Sequence, residues 1–132
     1  MNMTLNEAIL VKKIDNSKKY LEEGNNKKAL KVLNELVKEK PSFSEAWLCL
    51  GIAKRRLNNL NGAIECFKVV CELDNSMLEA WGLLTISLVD QGKIEIAKET
   101  IEKAGQLNPY NSKIQFFRNN LIKLYTKFGP FF

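Results

Sequence analysis

The chain has no histidine, and among its 132 residues it has only three cysteines, three prolines and seven glycines. Without histidine, the commonest general base and a leading zinc ligand are both missing. Cys49, Cys66 and Cys71 are odd in number and form no C-x-x-C, and Cys66 and Cys71 are spaced off a common helical face. They read as small buried side chains rather than a disulfide framework or a metal site, and they point to a reducing cytoplasm. Scarce proline and glycine suit a helical chain better than a turn-rich β protein. Long apolar runs are missing too: the longest, Ala80 to Val89, spans ten residues and includes Thr85 and Ser87. A membrane span needs about twenty. No apolar signal segment follows Met1. Nor is there a phosphate-binding loop, metal cluster or nucleophile–base set, so the reading is a non-catalytic protein without metal or cofactor.

What is present lies near the globular average, with 45% hydrophobic and 27% charged residues. The net charge of +5 is unevenly spread: +3 over 1–43, zero over 44–77, −2 over 78–111 and +4 over 112–132. The last segment mixes Lys113, Arg118, Lys123 and Lys127 with Phe116, Phe117 and Tyr125. Basic residues among stacking aromatics are one pattern of nucleic-acid binding. An amphipathic terminal helix with a solvated basic face accounts for them more simply, so nucleic acid is disfavoured as a partner.

The dominant signal is a period of 34 residues. Glu45-Ala46-Trp47-x-x-Leu50-x-Ile52 recurs as Glu79-Ala80-Trp81-x-x-Leu84-x-Ile86, and eight of 34 positions agree between 44–77 and 78–111. The frame extends back over 10–43, where Ala29, Ala63 and Ala97 share one place and Leu33, Phe67 and Ile101 another. Breakers keep the register. Gly24-Asn25, Asn58-Asn59 and Gln91-Gly92 split each unit; Pro41, Asp74-Asn75 and Asn108-Pro109 separate units. Thr4-x-x-Glu7, Ser42-x-x-Glu45, Ser76-x-x-Glu79 and Ser112-x-x-Gln115 read as capping boxes. Apolar residues at spacings of three and four between the breakers predict helices near 4–23, 27–39, 43–57, 60–73, 77–91, 94–107 and 111–127.

These residues resemble the tetratricopeptide repeat (TPR), whose pattern runs Trp-x-x-Leu-Gly-x-x-Tyr, Ala-x-x-x-Phe, Pro. The middle unit matches at Trp47, Leu50, Gly51, Ala63 and Phe67, and the third at Trp81, Leu84, Ala97 and Pro109. The first keeps Tyr20, Gly24, Ala29, Leu33 and Pro41 but has Lys13 and Asn16 at the Trp and Leu places. The resemblance implies an all-α, right-handed α-solenoid: one domain over 1–132, with units at about 10–43, 44–77 and 78–111. A capping helix over about 111–127 and a tail over 128–132 complete it.

The family architecture further implies that the first helix of each pair lines a concave groove. Traced on this chain, that face is Ile14, Lys18 and Leu21; then Glu45, Leu48, Ile52 and Arg55; then Glu79, Gly82, Ile86 and Val89. Phe116 and Asn120 extend it on the terminal helix, and Arg55 and Arg56 are placed to orient a ligand's polar flank. Family members that hold the C-terminal carboxylate of heat-shock chaperones use a Lys and Asn, an Asn, and a Lys and Arg at set places. Here those places hold Ile14 and Lys18, Cys49, then Glu79 and Leu83, which disfavours that ligand. The expectation is an interaction module or adaptor taking an apolar or amphipathic protein segment. The alternative is a homo-oligomeric scaffold using the same groove or the tail Gly129-Pro130-Phe131-Phe132.

Overall fold

Seven helices occur among the described residues: α1 (Leu5–Glu22), α2 (Asn26–Glu39), α3 (Ser44–Arg56), α4 (Leu60–Leu73), α5 (Leu78–Asp90), α6 (Ile94–Leu107) and α7 (Ser112–Phe128). The computed structural model describes residues 2–128, with the side chains of 2–121 and 123. The tail Gly129–Phe132 lies outside them. Every predicted helix is present, with its ends within about two residues of the expected ones.

The turns inside the three units are built alike. Gly24, Asn58 and Gly92 sit one period apart and all have positive φ, at 76°, 64° and 77°. Each N–H donates to the carbonyl three residues back: Gly24 to Leu21, Asn58 to Arg55 and Gly92 to Val89. The next residue reaches five back, Asn25 to Tyr20, Asn59 to Lys54 and Lys93 to Leu88, at 2.8–2.9 Å. This is the Schellman closure, which satisfies the orphan carbonyls of the ending helix and requires a left-handed residue. Glycine takes that conformation without strain, and asparagine tolerates it.

The turns between units also repeat, but the helices after them start differently from expectation. Among the described residues, Thr4 forms the reciprocal capping box with Glu7. At α3 and α5 the cap places hold Phe43 and Met77, with no side-chain cap bond. Both side chains are half-buried, and Phe43 packs against the core of its unit. Burial of an apolar residue at the helix entry has displaced Ser42 and Ser76 from capping, and the Ser76 hydroxyl donates to Asp74 instead. Asn111 accepts from the Ile114 N–H, so Ser112 is the first helical residue rather than the cap. A further link recurs with the period: the Trp47 indole N–H donates to the Pro41 carbonyl at 2.7 Å, and Trp81 donates to Asn75 at 2.8 Å.

The chain divides into two compact units, Met1–Val69 and Val70–Phe132. In the first, α2 packs on both α1 and α3. Its core gathers Ile14, Leu21, Ala29, Leu33, Leu36, Val37, Ala46, Cys49, Leu50, Ala53 and Cys66. Each large side chain removed from water contributes about 1.5–3 kcal/mol before the entropy of ordering is subtracted. In the second unit α6 packs on α5 and α7. There Asn108 fixes the turn before α7, its amide donating to the carbonyls of Asn75 (2.6 Å) and Ala104 (3.0 Å).

Small residues let paired helices approach. A Cβ placed on Gly51 would lie 2.5 Å from a ring carbon of Phe67, which is fully buried. The equivalent pairs are Ser17 with Leu33 and Thr85 with Ile101, all buried. Glycine at the first place faces the large Phe67 ring, whereas the larger Ser17 and Thr85 face the smaller Leu33 and Ile101, as close packing requires. The Ser17 and Thr85 hydroxyls donate to the carbonyls four residues back, so neither is buried without a partner.

Candidate ligand-binding faces

In the first unit, tertiary packing redraws the expected ligand face. Ile14, at 2% exposure, and Leu21 belong to the core, so neither offers a surface; Leu48 keeps only 7% of its own. These three are corrected from lining to buried residues. Ile52 is half-buried against the same core. Lys18 and Glu45 join α1 to α3 through a hydrogen-bonded ion pair. The hydrogen bond to Glu45 holds the Lys18 ammonium above its ordinary pKa, against a smaller opposing effect of burial. Two expected ligand-facing charges thus engage each other. Arg55 stays half-buried, while Arg56 donates to the Leu21 carbonyl at 2.7 Å. Arg56 therefore satisfies the carboxyl end of α1 rather than orienting a ligand.

The second unit keeps its face open. Glu79 is exposed, Gly82 and Val89 are half-exposed, and Ile86 shows 44% of its surface. Beside them α5 and α7 enclose an open apolar cleft of about 810 Å³ lined by Leu78, Ser112, Lys113, Phe116, Phe117 and Asn120. Phe116 is 72% exposed, which leaves a large aromatic surface in water. Gly82 lies beside the cleft, where a Cβ would meet only the Phe117 ring tip, at 3.6 Å, an ordinary contact. Phe116 and Asn120, expected from the sequence to extend the face, line this cleft. Leu78, Ser112, Lys113 and Phe117 were missed, although adjacent phenylalanines on a helix without a partner helix were a usable signal.

The three cysteines are buried. Burial pushes the Cys66 thiol up and Cys71 to about 12, which suppresses the thiolate at neutral pH. Among the described residues, no group of three or more His, Cys, Asp and Glu side chains is placed to hold a metal ion. No described helix is long and apolar enough to cross a membrane.

No protein-family model and no curated protein matches the sequence. Solved structures do match. The type III secretion chaperone SycD of Yersinia enterocolitica, in complex with a peptide of the translocator YopD, superposes with a TM-score of 0.78 at 15% identity, covering 91% of this chain and 92% of SycD. The first TPR of Spaghetti (RPAP3), bound to an HSP90 peptide, gives 0.72 at 17% identity, with 89% and 93% covered. The TPR2AB domain of yeast Sti1 in an HSP90 complex gives 0.76 at 19% identity, covering 89% of this chain and 45% of that one. The chain has the tetratricopeptide-repeat fold. The TPR packing positions account for Gly51, Phe67, the two tryptophans and the left-handed turn residues. The α5–α7 cleft is not accounted for by packing, since it leaves apolar surface uncovered.

Proposed function

We propose that this protein is a non-catalytic adaptor that captures an apolar or amphipathic protein segment on the faces of its first helices. The observation that carries the reading is the open cleft of about 810 Å³ walled by Leu78, Phe116 and Phe117. Exposed aromatic surface of this kind is what helix-in-groove recognition uses. In the first unit Ile52 and Arg55 keep partly exposed surface, and Lys18 and Glu45 stay at the surface held in their mutual ion pair; in the second unit the face is Glu79, Gly82, Ile86 and Val89. Structures of the same fold hold peptides of YopD and HSP90, which supports the class of ligand. The cytoplasm is the compartment we assign, because three buried cysteines outside disulfides suit a reducing environment.

Selection from a displayed peptide library tests this. Enriched peptides are expected to carry apolar anchors and to lose binding when Phe116→Glu places a charge in the cleft, with the melting temperature unchanged. Enriched peptides that bind the variant as well as the parent refute the assignment. Self-association through the same surface is the second reading, favoured by the SycD structure described as an alternative dimer. A concentration-dependent sedimentation coefficient that Phe116→Glu abolishes would select it.

A further inference from the structure

We propose that the α5–α7 cleft takes an acidic amphipathic helix, whose apolar face covers Phe116 and Phe117 and whose carboxylates meet Lys113 and Lys123. This rests on the peptide-binding reading above and names the chemistry of the partner. Lys113, Phe116, Asn120 and Lys123 follow one another at spacings of three and four along α7, so they form one stripe. The two lysines bracket the apolar stretch, ten positions or about 15 Å apart along the helix axis. Both are exposed, and neither has a carboxylate partner among the described residues. Arg118, by contrast, is bound to Glu102 at 2.9 Å on the side facing α6.

No acidic residue occurs anywhere from 112 to 132, so no carboxylate of α7 offsets these lysines. The amino end of α7 adds positive potential beside Lys113, because its first N–H groups point towards that end. An apolar patch with a cation at each end selects against basic and neutral segments through desolvation and repulsion, and favours acidic ones. A complementary helix needs apolar residues at spacings of three and four, and two carboxylates about 15 Å apart outside them. A second copy of this chain is a poor fit for the position, since its own α7 would bring lysines to lysines.

The test uses fluorescence anisotropy with the full chain and two labelled helical peptides. They share the same leucines and differ only in glutamate or lysine at the two flanking positions. The glutamate peptide is expected to bind about tenfold tighter at low salt, the summed effect of two exposed ion pairs. The gap should shrink at about 0.5 M salt, where the Debye length falls to a few ångströms. The double variant Lys113→Glu/Lys123→Glu should reverse the preference, and the wild-type salt dependence tests the proposal even if that variant folds poorly. Equal binding of both peptides, with loss of both in Phe116→Glu, overturns the acidic partner and leaves the peptide-binding reading standing. Failure of both peptides to bind overturns both. Self-association that blocks the glutamate peptide and depends on Phe116 also overturns the proposal, by identifying a second copy as the occupant.

Discussion

Gly51 and Phe67 offer a direct test of the packing argument. A Cβ on Gly51 would lie 2.5, 2.8 and 3.0 Å from three carbons of the Phe67 ring. That ring is fully buried, so it cannot swing into solvent to make room. Overpacking of this kind costs about 1–3 kcal/mol. Replacing glycine by alanine inside α3 returns about 1 kcal/mol of helix propensity. Gly51→Ala should therefore lose up to about 2 kcal/mol, a fall of up to about 8 °C in melting temperature. Gly51→Thr should lose more, since it adds two further heavy atoms without the full propensity gain. Phe67→Ile alone should also destabilise, by leaving a cavity. Combined, the two reproduce the Thr85 and Ile101 pair that the third repeat uses, and the double variant should be more stable than the sum predicts. The coupling is expected at about 1–2 kcal/mol in a double-mutant cycle followed by urea denaturation. Additivity within about 0.3 kcal/mol would refute the claim that the two positions share one space.

Three other outcomes follow from the geometry. Asn58→Gly should raise stability by a few tenths of a kcal/mol to about 1 kcal/mol, because φ is 64° there and glycine fills the same place in the other two turns; a fall in melting temperature contradicts this. Asn108→Ala should cost about 1–3 kcal/mol, since it removes two hydrogen bonds from a buried amide and frays the entry to α7. Amide exchange localised to residues near 104–116 is the readout. For Cys71, the folded thiol titrates near 12 against an ordinary value of 9.0. The folded state thus holds the proton more tightly, so this contribution to stability is complete below pH 9 and disappears as pH rises towards 12. Cys71→Val should flatten the alkaline limb of the stability curve relative to the parent, and identical limbs would remove burial as the cause.

The amino-acid sequence determined the helices and their repeat. Helix ends depend on local chemistry: Gly24, Asn58 and Gly92 mark left-handed turns, and Pro41 and Pro109 mark the breaks between units. A period of 34 residues made these signals agree with one another, so the fold was legible. The candidate site was legible only in part. Periodicity defines a stripe on a helix, but the neighbours that cover it are distant in sequence. Tertiary packing therefore decided that Ile14 and Leu21 belong to the core and that Lys18 engages Glu45. It also gave the helix entries to Phe43 and Met77 instead of serines, because burying an apolar side chain there outweighs one capping bond. The same physics produced the cleft. The chain has α6 to cover one side of α7 and, among its described residues, nothing to cover Phe116 on the other. Positions that recur in register, such as Gly51 and Phe67, are packing positions. The candidate binding face was decided by which apolar surface the helices left uncovered.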